Sequence, residues 1–346
     1  MIPFSEPRRM AGSALPVAQE GQSLGPSRGR WQGRFGNGEL RGSGRRGVGR
    51  REFIRSAAML SGLTAVEAGA SSFLRPSGPG RSFIDVNVNL WAWPVRHSSF
   101  AEPDALAGML RRKGVTQAWV GSLDGLLHKD LGAVNSRLAM ACRRFGQGRL
   151  LPFGSVNPVW PDWEEELRRC AEEHGMRGIR LHPNYHGYGL EQTRFGRLLE
   201  MAVERGLVIQ LALGMEDERM MHPLLRVSPV DAAPLADALK RAPGVQLVLL
   251  NAARLVRGDA LRRLLDAGDV YVEIATLDGV GCVERLLTHV PLDRILFGSN
   301  APLFYFDSAL LKLSESALAP PQLHAVRVGN AERLMLRAVD RGSRTP

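Results

Sequence analysis

The sequence, 346 residues long, predicts a (β/α)8 barrel of the TIM class preceded by an N-terminal extension. Three observations predict it. From Ser82 to Ala338, short apolar runs alternate with longer amphipathic stretches, eight times over, the rhythm of parallel strands joined by helices. The length of that region suits one barrel, which needs about 250 residues. The first apolar run is followed by Trp91-Ala92-Trp93-Pro94, where an open doubly wound sheet would want a Gly-rich phosphate loop.

The elements follow in order. The first strand is predicted at 83–90, with a helix near 103–113. The second strand is at 117–123 with a helix at 131–145, and the third at 150–156 with a helix at 163–173. In that helix Leu167, Cys170 and Ala171 share one face, and Gly175 suits its C-terminal cap. The fourth strand, 178–181, precedes a helix at 195–205 that Gly206 stops. The fifth, 207–213, leads through the Met-rich segment 215–223, either a lid or a solvated loop, to a helix near 233–241. The sixth, 246–250, precedes a helix at 260–267 ended by Gly268. The seventh, 270–275, precedes a helix at 283–289. The eighth, 294–298, is followed by closing helices over 308–338. A disordered tail is expected over 339–346.

Residues 1–48, rich in Gly, Arg, Ser and Pro without hydrophobic period, are expected to be disordered. Residues 49–81 form a signal and linker. Arg50-Arg51-Glu52-Phe53-Ile54 resembles a twin-arginine export signal, and Ser56 to Val66 is mildly apolar. Ala68-Gly69-Ala70 suits a signal peptidase. Export to the periplasm or beyond is the expectation. Gly49 replaces the usual Ser or Thr, and initiation at Val48 would shorten the long lead. No run reaches the roughly 20 apolar residues of a membrane span. The formal charge of +10 sits mainly in this extension: thirteen arginines oppose five glutamates before residue 82. The barrel region is near neutral, which argues against a nucleic-acid partner. Cys142, Cys170 and Cys282 form no CxxC pair and are expected to be buried thiols.

Barrels of this class carry their chemistry at the C-terminal ends of the strands. There the sequence places Asp85, Asn87 and Asn89 on one face of the first strand, Asn157 after the third, and Arg180 and His182 on the fourth. Gln210 is on the fifth, Asn251 ends the sixth, Glu273 is on the seventh and Asn300 follows the eighth.

Six segments then resemble the amidohydrolase-related family in order and spacing. Ile84-Asp85-Val86-Asn87-Val88-Asn89 is similar to the family's I-D-x-H-x-H opening. Gly178-Ile179-Arg180-Leu181-His182-Pro183 is similar to its fourth-strand motif. Val208-Ile209-Gln210 and Leu249-Leu250-Asn251 resemble strands that end in histidine. Gly298-Ser299-Asn300 resembles G-S-D, and Gly329-Asn330-Ala331-Glu332-Arg333-Leu334 resembles G-N-A-x-R-L. The resemblance implies a metal-dependent hydrolase or decarboxylase barrel using a divalent metal such as zinc. Yet Asn87, Asn89, Gln210 and Asn251 stand where it implies histidines, and Asn300 where it implies aspartate. An amide offers a neutral oxygen and a non-basic nitrogen, whereas zinc prefers Cys, His and carboxylate. No cofactor is therefore expected at these positions.

Two readings of the amides stand. They satisfy one another in a fold-maintaining network, or they line a pocket for a small polar or carboxylated ligand, as in a pseudoenzyme. The alternative is a divergent hydrolase or carbon–carbon lyase working through His182 and Glu273 as acid and base, or through a displaced metal drawn from His182, His186, His222 and Glu273, with Asp278 a further polar candidate. Pro183 between His182 and His186 argues against helical ligation by that pair. Arg180 either clamps a carboxylate or phosphate or pairs with Glu273. A scaffold or partner-binding role is the third reading.

Overall fold

The structure is a computed structural model and describes residues 82–342. The expectations for 1–48 and 49–81 lie outside the described residues. Eight strands follow one another in sequence order around one sheet: β1 (Phe83–Leu90), β2 (Val115–Ser122), β3 (Leu150–Ser155), β4 (Gly178–Leu181), β5 (Val208–Ala212), β6 (Gln246–Leu250), β7 (Asp269–Glu273) and β8 (Ile295–Leu296). Every neighbouring pair is parallel. The seam closes where Val86 N–H donates to Phe297 O at 3.0 Å and Asn89 N–H to Ala301 O at 2.8 Å. The TIM-barrel expectation holds.

All eight residues of β1 are buried, as are all of β4, β5 and β6. Parallel strands demand such cover on both faces. Helices α1 (Pro103–Arg112), α2 (Leu131–Gly146), α3 (Trp163–Glu172), α4 (Pro183–His186), α5 (Thr193–Glu204), α6 (Leu235–Arg241), α7 (Gly258–Ala267), α8 (Cys282–Leu286) and α9 (Phe306–Ser314) follow the strands. Short α10 (Pro320–His324) leads through a π turn at Ala325–Gly329 into α11 (Asn330–Gly342). Trp119 and Phe153 stack with ring centroids 5.2 Å apart, and they cluster with Val208, Val248, Tyr271 and Leu334. Through Leu334 and Ala338, α11 belongs to that cluster. The opposite end carries the strand-end polar residues.

Two features depart from the sequence reading, at Pro183 and at the C-terminus. Pro183 starts a helix instead of barring one, because at the first helical position its missing N–H costs nothing. Gly268 ends α7 as the sequence predicts, in an extended conformation, φ −179°. The expected tail from 339 is helical as far as Gly342. The three cysteines are free and buried. Among the described residues no helix is long and apolar enough to cross a membrane.

Candidate functional site

The five strand-end amides converge. Asn87 Nδ2 donates to Asn251 Oδ1 at 3.0 Å, and Asn89 Nδ2 donates to Asn300 Oδ1 at 3.0 Å. Asn251 Nδ2 reaches Gly214 O at 2.9 Å, and Asn300 Nδ2 reaches Met215 O at 3.3 Å. Gln210 Nε2 donates to Val86 O at 2.6 Å. All five side chains are buried. Asn251 and Asn300 both have φ +55°, in the left-handed region that asparagine tolerates better than most side chains. The amide at these two positions therefore suits the backbone as well as the network.

Arg180 lies buried among them. Its five N–H groups are all taken: Nε by Gln210 Oε1 at 2.8 Å, Nη1 by Val88 O at 2.8 Å and Asn89 Oδ1 at 2.7 Å, and Nη2 by Trp119 O at 3.0 Å and Val86 O at 3.4 Å. Every acceptor is neutral. Arg180 thus neither pairs with Glu273 nor presents a free fork for a carboxylate or phosphate, which departs from both expectations. The reason is the nearness of β1 and β2 backbone carbonyls, which a sequence does not display. Gly121 on β2 makes the crossing possible, since a Cβ there would lie 2.6 Å from the Arg180 Cδ.

Two carboxyls flank this network. Asp85 accepts from Ser299 Oγ at 2.5 Å, Ser299 N at 3.0 Å and Asn87 N at 3.0 Å. Burial raises its pKa to about 7 against those bonds. Glu273 accepts from Asn251 N at 2.7 Å, from Asn87 Nδ2 at 3.4 Å and from Ala275 N. Burial also raises its pKa.

The proposed acid–base pair is not joined. Glu273 spends its oxygens on those donors, while Nδ1 and Nε2 of His182 have no hydrogen-bond partner. Burial, with His186 and Arg180 nearby, lowers the His182 pKa well below the ordinary imidazole value, and burial lowers that of His186. The two rings meet edge to face, centroids 6.1 Å apart. His222 caps an exposed turn through Leu224 N, and Asp278 pairs with Arg254 at 2.6 Å, so neither joins the site.

Sequence reading missed a further group. Trp93 Nε1, Ser122 Oγ, Ser155 Oγ, Tyr185 Oη, His186 Nδ1 and Glu216 Oε1 are buried without partners, as is Tyr188 Oη. They come from the ends of β2 and β3 and the loops after β1, β4 and β5. Ser122 and Ser155 end their strands, so the strand-end rule would have found them. The rings of Trp93 and Tyr185 meet edge to face at 6.1 Å. A cavity of about 320 Å³, lined by Met215, Glu216, Asp217, Asn251, Arg254 and Phe304 among others, opens beside Glu216. The Met-rich segment thus walls this opening: Met215 and Met221 are buried and Met220 is exposed.

No curated protein matches the chain, but solved structures share its fold. A 2,6-dihydroxybenzoate decarboxylase from Rhizobium aligns with TM-score 0.54 and 16% identity over 74% of this chain and 98% of that one. A dihydroxybenzoic acid decarboxylase from Polaromonas, holding manganese and 2-nitroresorcinol, aligns with TM-score 0.57 and 15% identity over 74% and 97%. A 5-carboxyvanillate decarboxylase from Novosphingobium aromaticivorans, holding manganese and 3-methoxy-4-hydroxy-5-nitrobenzoic acid, aligns with TM-score 0.57 and 14% identity over 74% and 97%. These two manganese-bound structures correct the expectation of no cofactor: a metal ion accompanies this fold in its neighbours, and it is manganese rather than the zinc named from the sequence.

The amide positions of this chain do not fit such an ion as they are arranged. The side-chain oxygens of Asn89, Gln210, Asn251 and Asn300 already accept hydrogen bonds, two of them from the Arg180 guanidinium. Among the described residues no group of three or more His, Cys, Asp or Glu is placed to hold a metal. The family itself is shown by the sequence: residues 93–335 match the family model described as Amidohydrolase. With more than half of its length matched in this way, the chain belongs to the amidohydrolase family.

Proposed function

We propose that this barrel binds a small polar or carboxylated molecule at its C-terminal mouth, on the β1 to β5 side, without carrying out its relatives' reactions. The carrying observation is that the five amides and Arg180 are engaged with one another, with Glu273 and with backbone carbonyls. None of these six side chains has a proton to exchange at neutral pH, and the side-chain oxygens of Asn89, Gln210, Asn251 and Asn300 are already taken. The unpartnered Trp93, Ser155, His182 and Tyr185 atoms support binding, because buried polar groups of native proteins normally have partners. The relatives' ligands, 2,6-dihydroxybenzoate and 2-nitroresorcinol, suggest the probes.

Titration calorimetry with both compounds, beside assays for carbon dioxide release and amide or ester hydrolysis with and without added manganese, tests the proposal. Saturable binding with no turnover in either condition is expected. Manganese-stimulated, chelator-sensitive turnover refutes it. A second reading, a divergent hydrolase or lyase, is favoured by the neutral, unpartnered imidazole of His182. It requires that His182→Ala abolish whatever turnover is found.

A further inference from the structure

We infer that a cavity between α7 and α8 binds a small aromatic carboxylate, its ring on an apolar floor and its anionic group between Arg257 and Arg285. The inference is independent of the binding function proposed above, because neither Arg180 nor any of the five amides lines this cavity.

Space supplies the first argument. The cavity measures about 410 Å³, within the range of about 300–1,000 Å³ that holds small ligands. Val256, Leu261, Val272, Leu277 and Leu286 form its floor. Leu277 and Leu286 are half-buried, so a ring seated against them would remove apolar surface from water.

Charge supplies the second. Arg257 and Arg285 line the same cavity and are exposed. Arg257 spends only its Nε, on Ala253 O at 2.8 Å. Arg285 donates from Nη2 to Asp278 O at 3.0 Å and from Nη1 to Val280 O. All three acceptors are backbone oxygens, so both guanidiniums keep an unneutralised charge and free N–H groups. The neighbouring acids are already engaged. Arg254 holds both oxygens of Asp278, at 2.6 and 2.8 Å. Glu273 turns its carboxyl to Asn251 N at 2.7 Å and to Ala275 N, and Glu284 accepts from Ala317 N at 3.2 Å. The positive field of Lys312 and Arg285 reaches the Cys282 thiol in the cavity wall, and that of Arg257 reaches Asp278. These cations therefore surround one space. A guanidinium with free N–H groups is the side chain best suited to grip a carboxylate.

Three probes separate ring from charge: 3-phenylpropanoate, the uncharged 3-phenylpropanamide, and acetate. Titration calorimetry at pH 7.5 should show saturable binding of the phenylpropanoate, at least ~10-fold tighter than that of the amide. Acetate, which lacks the ring, should bind at least ~10-fold more weakly than the phenylpropanoate. Arg257→Gln together with Arg285→Gln should weaken the phenylpropanoate at least ~10-fold. Arg257→Gln alone, which gives up a single bond to Ala253 O, should weaken it about 3-fold. That variant keeps the test decisive if Arg285→Gln loosens the turn it braces. An amide as tight as the carboxylate, or acetate as tight as the phenylpropanoate, overturns the inference. Affinity unchanged in both the single and the double variant also overturns it. Phenylpropanoate that does not bind overturns it too, and leaves standing the binding function at the mouth, which 2,6-dihydroxybenzoate probes.

Discussion

The guanidinium of Arg180 crosses the barrel only because residue 121 has no side chain. A Cβ at that position would stand 2.6 Å from Cδ, 2.7 Å from Nη1 and 2.8 Å from Nε of Arg180. These atoms are not the loose end of a flexible chain, since each nitrogen is held by bonds of 2.7 to 3.4 Å to β1, β2 and β5. Gly121→Ala must therefore displace Arg180 and strand the carbonyls and amide oxygens it serves. A loss of about 2–4 kcal/mol is expected, from overpacking together with orphaned buried acceptors. Urea unfolding measures it. The paired variant Gly121→Ala with Arg180→Met should lose less than the sum of its single substitutions, because the alanine then has no guanidinium stem to displace. Full additivity would show that the two residues do not meet.

At the scale of elements, the seam between β1 and the segment after β8 depends on Asp85 and Ser299. Asp85 takes three hydrogen bonds, two of them from Ser299, yet burial still raises its pKa to about 7 from an ordinary 3.8. The folded protein thus holds this proton more tightly than the unfolded chain does. The associated stabilisation is fully present below about pH 4 and is lost as pH rises through about 7. Its full size is about 4 kcal/mol at ~1.4 kcal/mol per pKa unit. Wild type should therefore lose stability relative to Asp85→Asn between pH 5 and pH 8, measured by urea midpoints at each pH. A gap that stays constant would mean that Asp85 keeps its unfolded pKa. Most of the strands on either side of this seam were legible, because each is an apolar run cut off by a turn. The amides were legible too, as polar residues at strand ends. Less legible were features whose partners are backbone atoms or distant loops. The path of Arg180 depends on three main-chain carbonyls. The orphaned Trp93 and Glu216 sit in loops, and Tyr185 in the four-residue α4, whose courses no periodicity reveals. Asn330, part of the closing-helix motif, donates from its amide to Leu292 O and Ile295 O at 2.7 Å and ties that helix to β8.

Across the whole molecule, one end of the barrel is built for closure and the other for polarity. Helix α11 makes the closure, with Leu334 and Ala338 buried among Ile84, Trp119, Phe153, Val208 and Tyr271. Gln246 at the start of β6 donates to Leu334 O at 3.4 Å. Because these contacts join the first strand, the middle strands and the last helix, α11 should fold and unfold with the barrel rather than separately. Leu334→Ala is expected to cost about 2–5 kcal/mol, the range for emptying a fully buried leucine site. One cooperative transition should remain, with far-UV circular dichroism and tryptophan fluorescence moving together. If the helix were an appendage, the variant would instead split the transition, α11 melting first while the tryptophan signal held. The same experiment bears on the mouth. The amide network lies at the opposite ends of the strands from this plug, so Leu334→Ala should lower stability while leaving 2,6-dihydroxybenzoate affinity unchanged below the melting temperature. A parallel fall in affinity would mean that the packing at the closed end sets the geometry at the open one.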